Sequence, residues 1–389
     1  MNLLDLAVVT LAVVAAVGGY RLGFVTRVIS WIGMALGLFV AVRLLPGLLD
    51  RLRGGDSKVL LLAALALIFG CAFLGQAIGV VLGNRLRPVH YDGTVTRFDG
   101  ALGALAGMVG VAVLLWLILP FLSDTPGWPA EQAHQSTLAQ NLDAHLPPAP
   151  DSIQALRSLV GEDNFPKVFD ALRPTPDLGP PPADSGLGTE TSARVARSVV
   201  KIEGIACNQI QDGTGFVAAA DEVVTNAHVV AGEASTDVIR NDGSRVRSRV
   251  IAFDPNRDLA VLAVPGLNRD PLPISPSAVE EKGGVFGHPG GGPLRIAPFQ
   301  VARTITAVGR DIYGTSVTRR EVLELQSQLR PGDSGSALVD AGGTVVGVAF
   351  AIAPDKPDVA YALNTSELQP LLASDRSTTA GTGPCVGAG

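Results

Sequence analysis

Cysteine is scarce: three residues in 389, too few for a disulfide-dense scaffold, so any soluble part must be held by a buried core. No basic tract occurs, and the formal net charge is −6, which argues against nucleic acid as a partner. Charge is nearly missing from the long apolar runs of the first third. The opening run also lacks a basic n-region and is followed almost at once by another, so it does not read as a cleaved signal peptide. Lysine and arginine then vanish altogether between Phe121 and Leu156.

What the first third does contain is four apolar stretches, near Leu3–Tyr20, Val28–Leu48, Val59–Gly83 and Ala101–Leu122. Each approaches or exceeds the roughly 20 residues that cross a bilayer as a helix. The pattern predicts a four-helix transmembrane bundle over residues 1–122, with the lipid bilayer as its partner. Arg21 and Arg27 in the first loop, Arg85, Arg87 and Arg97 in the third, and the basic-free flank after Leu122 place loops one and three in the cytoplasm. Everything after Leu122 is then extracytoplasmic. Gly103 and Gly107, with Gly100 and Gly110 around them, are spaced for close helix contact. No intramembrane charge pair marks an ion path, so a bundle acting as a channel or scaffold, with the rest as its regulator, ranks last. Asp5, Gly19-Tyr-Arg-Leu-Gly23 and Asp99-Gly-Ala-Leu-Gly103 resemble the colicin V production family of membrane proteins. That resemblance carries no chemistry.

Residues 123–190 turn polar and rich in proline and alanine. Short helices are predicted near Glu131–His145 and Ser152–Val160, and the prolines of Arg173–Pro182 exclude a helix or a central strand. The region reads as a stem lifting the next domain off the membrane, and as an exposed target for self-cleavage.

From residue 191 to 389, short β-branched runs alternate with Gly and Asp turns: Val199–Ile202, Gly215–Ala218, Glu222–Thr225, Val246–Phe253, Leu259–Val264 and Thr344–Ile352. An all-β barrel or sandwich follows. Three local patterns sit on it in the order His, Asp, Ser. They are Thr225-Asn-Ala-His228, Asp254-Pro-Asn-Arg-Asp258-Leu-Ala-Val-Leu, and Gly332-Asp-Ser334-Gly-Ser336. A serine hydroxyl needs a base to take its proton, histidine supplies one near neutrality, and a carboxylate fixes the imidazole tautomer. The glycines free the N–H groups of Gly332 and Ser334 to face an oxyanion. Asp254 competes with Asp258, which is preferred because it abuts the apolar strand. All five histidines precede Ser334, which excludes an α/β-hydrolase order. His288, in Gly287-His-Pro-Gly-Gly-Gly292, reads as structural. No cofactor and no metal are called for.

These three motifs resemble trypsin-like serine proteases, and among them the bacterial HtrA-like branch. With the membrane third, the whole chain is similar to membrane-anchored mycobacterial proteases of the acid-resistance type. The resemblance implies a chymotrypsin-like double β-barrel with the triad between the barrels. It also implies endopeptidase activity on cell-envelope proteins, a role in stress or acid resistance, and a specificity pocket with Gln328 at its base. Ala349, Phe350 and Ala351 would form one wall of that pocket. With no acidic residue at the base, a small or apolar side chain is expected before the cut. Too little chain follows Ser334 for a PDZ domain, so a monomeric protease domain is expected. Cys207 and Cys385 would face an oxidising compartment and could pair, as the resemblance also implies, or stay as free thiols; Cys71 falls inside the third membrane helix. The rival reading from another class is a catalytically silent, polypeptide-binding module.

Overall fold

The computed structural model describes residues 2–51, 57–86, 93–147, 168–206 and 209–386. By its internal contacts the chain divides into two compact units, residues 1–122 with 135–160, and residues 123–134 with 161–389.

The first unit contains four long apolar helices, α1 (Leu3–Leu22), α2 (Phe24–Arg51), α3 (Ser57–Leu86) and α4 (Gly93–Asp124). Each has a stretch long and apolar enough to cross a membrane. Large apolar side chains such as Val14, Phe39 and Phe73 point outward from them, the arrangement that lipid rather than water rewards. The helices meet through glycine. A Cβ on Gly103 would lie 2.3 Å from the Gly19 carbonyl oxygen, and one on Gly107 would lie 2.2 Å from that of Ala15, so α4 touches α1 backbone to backbone. Gly33 and Gly75 do the same between α2 and α3. Asp99 accepts the N–H of Phe24 at 3.0 Å, capping the start of α2. At the start of α1, the fully buried Asp5 accepts the Ser136 hydroxyl at 2.6 Å and the Leu138 N–H at 3.1 Å.

Where one helical stretch is expected over 131–145, there are two helices, α5 (Trp128–Gln135) and α6 (Thr137–His145). The break is Ser136, whose extended backbone and hydroxyl, accepting the Ala139 N–H, make it an N-cap. The helix expected near Ser152–Val160 lies outside the described residues.

Among the described residues, the second unit has twelve strands in two closed antiparallel barrels. The first runs β1 (Val199–Ala206), β2 (Gln209–Ala219), β3 (Glu222–Thr225), β6 (Leu259–Ala263), β5 (Arg245–Asp254), β4 (Thr236–Ile239). The second runs β10 (Ala337–Asp340), β11 (Val345–Ala353), β12 (Lys356–Asn364), β9 (Val317–Gln326), β8 (Arg295–Arg310), β7 (Lys282–Gly287). Short helices accompany them: α7 (Thr189–Arg197) before β1, α8 (Ala227–Val230) between β3 and β4, and α9 (Thr365–Ala373) after β12. Ile202, Val217, Val223 and Leu262 fill the first barrel, and Phe299, Leu323, Leu325 and Leu338 the second. A third cluster draws Phe216 and Leu259 from one barrel and Phe286 and Phe350 from the other. Each such side chain contributes about 1.5–3 kcal/mol over its exposed state.

The proline-rich segment before α7 has no helix or strand, as its prolines require, but it is packed rather than free. The Phe169 ring meets Tyr361 edge-on at 5.5 Å, Arg173 lies over the Phe169 ring, and Thr175 donates its hydroxyl to the buried Asp355 at 2.6 Å. Leu178 and Leu187 pack on the core, and Gly127, ahead of α5, donates its N–H to the Pro354 carbonyl at 2.9 Å. What reads in sequence as a spacer is here a strap across the second barrel.

Candidate active site

His228 is carried by α8, the single turn into which β3 runs through Asn226. Asp258 stands just before β6 and is fully buried, with φ of +59°. A non-glycine residue in that region is unusual and held by its surroundings, and aspartate is among the side chains that tolerate it. Two bonds account for it. Asn226 donates its amide to the Asp258 carbonyl at 2.8 Å, and the Asp258 carboxylate faces His228. One carboxylate oxygen accepts the His228 backbone N–H at 2.9 Å while the other lies 2.8 Å from ring Nδ1. The rival Asp254 is spent on its own turn, accepting the N–H groups of Asn256 and Arg257 and pairing with the Arg257 guanidinium at 2.8 Å.

Ser334 lies in the turn between β9 and β10, between two glycines with φ of +92° (Gly332) and +81° (Gly335). Gly335 has no room for anything larger: a Cβ there would lie 2.1 Å from the Thr214 carbonyl oxygen and 2.4 Å from the Thr225 hydroxyl. Asn226 is the next neighbour at 3.2 Å, so the serine turn is pressed against the segment that leads into His228. Thr214 on β2 donates its N–H to the Ser334 carbonyl at 2.9 Å. Among the described residues, the N–H groups of Gly332 and Ser334 donate to no protein acceptor, which leaves two donors flanking the serine.

Asp333 points away from solvent, accepting the Arg330 N–H at 2.9 Å with the Arg295 guanidinium 3.6 Å off. Burial pushes its carboxyl up to about 6, against the pull of that N–H and the two arginines. His288 is buried too, its Nδ1 2.9 Å from the Gly292 carbonyl. A carbonyl can only accept, so Nδ1 carries the proton, and burial lowers the ring's pKa. That agrees with a structural histidine.

Of the residues expected at a specificity pocket, Gln328 is exposed and donates its amide to Asp358 at 2.6 Å. Ala349, Phe350 and Ala351 are fully buried on β11. Asp358, an acidic neighbour for Gln328, has no signal in sequence, being thirty positions away. Cys207 lies outside the described residues, so its expected bond to Cys385 does too. Cys385 sits against the loop after α8, its Sγ 2.8 Å from where a Gly232 Cβ would be. Thr214 and Asn226 complete the site, and sequence reasoning assigned neither a role. Asn226 stands inside the His228 motif, but Thr214 is merely a threonine between two glycines.

The Trypsin-like peptidase domain family matches residues 213–348, and the Colicin V production protein family matches residues 4–147. Serine protease Rv3671c of Mycobacterium tuberculosis strain H37Rv is 32% identical over 393 residues, covering 98% of each chain. This chain belongs to that family of serine proteases. The crystal structure of the Rv3671c protease from M. tuberculosis in its active form overlays with a TM-score of 0.52 at 35% identity, covering 55% of this chain and 96% of that one. Some other relatives align over less. HhoB of Synechocystis, a putative serine protease by name, is 33% identical over 39% of this chain and 37% of its own. The family thus joins an apolar helical unit to a double-barrel serine endopeptidase, and the chain is a multi-pass membrane protein whose substrates are proteins.

Proposed function

We propose that His228, Asp258 and Ser334 are the catalytic triad of an endopeptidase that faces the extracytoplasmic side and cuts cell-envelope proteins. The observation that carries this reading is the double hold of the Asp258 carboxylate on His228, beside a serine turn with two unspent N–H donors. Asp258 keeps the proton on Nδ1, so Nε2 is left basic. Ser334 Oγ attacks the scissile carbonyl as Nε2 takes its proton, and the carbonyl oxygen becomes an oxyanion facing the N–H groups of Gly332 and Ser334. Collapse of the tetrahedral intermediate breaks the C–N bond, the imidazolium returns its proton to the leaving amine, and the acyl group stays on Ser334. Water, deprotonated by the same nitrogen, then attacks the acyl carbon, the C–O bond to Ser334 breaks as the imidazolium returns the proton to Oγ, and the acid leaves.

Arg21 and Arg27 on either side of the α1–α2 junction, Arg85 and Arg97 on either side of the α3–α4 connection, and the basic-free flank after Leu122 support the extracytoplasmic placement. Gln328, Ala349, Phe350 and Ala351 are proposed as the specificity pocket, a Cys207–Cys385 bond as a tie on the tail, and the protease domain as a monomer without nucleic-acid binding. Resemblance to membrane-anchored acid-resistance proteases supports a role in envelope stress.

The test is fluorophosphonate labelling of the detergent-solubilised chain, wild type against Ser334→Ala. Labelling confined to the wild type is the expected result. Absence of labelling in a folded wild type would favour a silent binding module instead.

A further inference from the structure

Among the described residues, four hydrogen bonds of Thr214 end on the two segments that carry the reacting groups or on the loop beside them. Its N–H goes to the Ser334 carbonyl at 2.9 Å. Its own carbonyl accepts the Thr225 hydroxyl at 2.8 Å, three positions before His228. Its hydroxyl donates to the Gly332 carbonyl at 2.8 Å and accepts the His288 N–H at 2.8 Å. The side chain is fully buried, so no water competes for these bonds.

The geometry points to a role for that hydroxyl in setting the oxyanion donors. A trans peptide is planar, with its C=O and N–H pointing in opposite directions. The orientation of the Gly332 N–H is therefore fixed by the Pro331 carbonyl, which accepts the Gly290 N–H at 2.7 Å. The next peptide is fixed by the Gly332 carbonyl, held by Thr214. Gly332 has φ of +92°, and a glycine moves between backbone regions more freely than any other residue. The Ser334 N–H belongs to the Asp333–Ser334 peptide, whose carbonyl accepts the Ser336 N–H at 3.0 Å, and the Asp333 N–H between the two donors goes to the Arg330 carbonyl at 2.9 Å. The Thr214 hydroxyl adds the anchor on the carbonyl of the peptide that links the two donor peptides, so the flexible Gly332 is held on both sides. That anchor comes from the other barrel, and it also grips the strand end before His228.

We propose that Thr214 is a positioning residue for transition-state stabilisation, acting through the peptides on either side of Gly332 and holding donors and base in one frame. His288 serves the same frame through its N–H to the threonine oxygen. This rests on the reading of Ser334 as the nucleophile. Because the oxyanion forms only in the transition state, loss of the anchor should lower kcat and leave KM nearly unchanged.

The experiment compares the detergent-solubilised chain with Thr214→Val, Thr214→Ser and Thr214→Cys on one fluorogenic peptide cleaved by the wild type, with Ser334→Ala as the blank. Valine keeps the shape without the hydroxyl, serine keeps the hydroxyl, and cysteine keeps a weak donor. The expected order of kcat is wild type, Ser, Cys, Val, with Ser within about threefold of wild type. Val should fall roughly 10- to 100-fold at constant KM. Affinity for a peptide boronate, which mimics the tetrahedral intermediate, should drop with kcat. If Thr214→Val does not fold, the Ser and Cys variants still decide: serine equal to or worse than cysteine overturns the proposal. So does a Val variant with wild-type kcat, or one whose loss lies in KM. Activity that survives in Ser334→Ala overturns the underlying reading instead, and the two failures are told apart by that blank.

Discussion

Asp258 holds His228 at two points, with one carboxylate oxygen on the backbone N–H at 2.9 Å and the other 2.8 Å from ring Nδ1. The ring is therefore oriented from the same atom group that selects its tautomer. In Asp258→Asn the amide can still satisfy the backbone N–H through its oxygen, so the chain should fold, but its NH2 now faces Nδ1 and moves the ring proton to Nε2. We expect kcat to fall by roughly 10³–10⁴ with a melting temperature within a few degrees of wild type. Peptide hydrolysis and thermal melts check both halves.

Gly335→Ala tests the serine turn itself. Alanine is strained at φ of +81°, and its Cβ would press on the Thr214 carbonyl and the Thr225 hydroxyl. A loss of about 2–4 kcal/mol is expected, from strain and overpacking together, and the turn should move enough to abolish fluorophosphonate labelling. Denaturant unfolding gives the first number and labelling the second.

Glu233, in the loop after α8, predicts how stability responds to pH. Burial pushes its carboxyl up to about 7, helped by Asp212 and Asp237 and opposed by the Thr236 hydroxyl. A carboxyl whose folded pKa lies above its unfolded value of 4.5 binds its proton more tightly when folded. Stability from this group therefore grows as pH falls from 7 towards 4.5 and is lost as pH rises through 7. Asp333, pushed up to about 6, acts in the same direction. Glu233→Gln should raise stability at pH 8 by on the order of 2–3 kcal/mol and flatten the change between pH 8 and 5. Thermal melts at the two pH values measure it.

The strap before α7 sets where a soluble fragment can begin. A fragment starting at Ala193 lacks Phe169 and Thr175, which exposes the Tyr361 face and leaves Asp355 without its partner. Against a fragment starting before Phe169, it should be less stable by about 2–4 kcal/mol, read by urea unfolding. Thr175→Val in the longer fragment should reproduce part of that loss.

The paired His228 and Asp258 and the Ser334 turn were legible in sequence because each sits inside a local motif next to an apolar strand, so a few adjacent residues describe its surroundings. Strands were legible because short β-branched runs between turns announce them one at a time, while their closure into two barrels followed from the family resemblance. Thr214 was not, since its meaning lies in a carbonyl 118 positions away. The strap was missed for a related reason. Proline excludes helix and strand locally, but whether an irregular segment floats or packs depends on what Phe169 and Thr175 find on the second barrel.

The bond between Asp5 and Ser136 spans 131 positions, so it can form only late in biogenesis. Asp5 emerges from the ribosome first and needs its partner last, after all four apolar helices have been made. Until then a carboxylate at the head of α1 has no α6 to cap. The bond also requires both residues to end on one side of the bilayer, which four crossings provide and three or five would not. Inserting or deleting a single span would strand Asp5 across the membrane from Ser136, so this one hydrogen bond acts as a parity check on the topology of the finished protein.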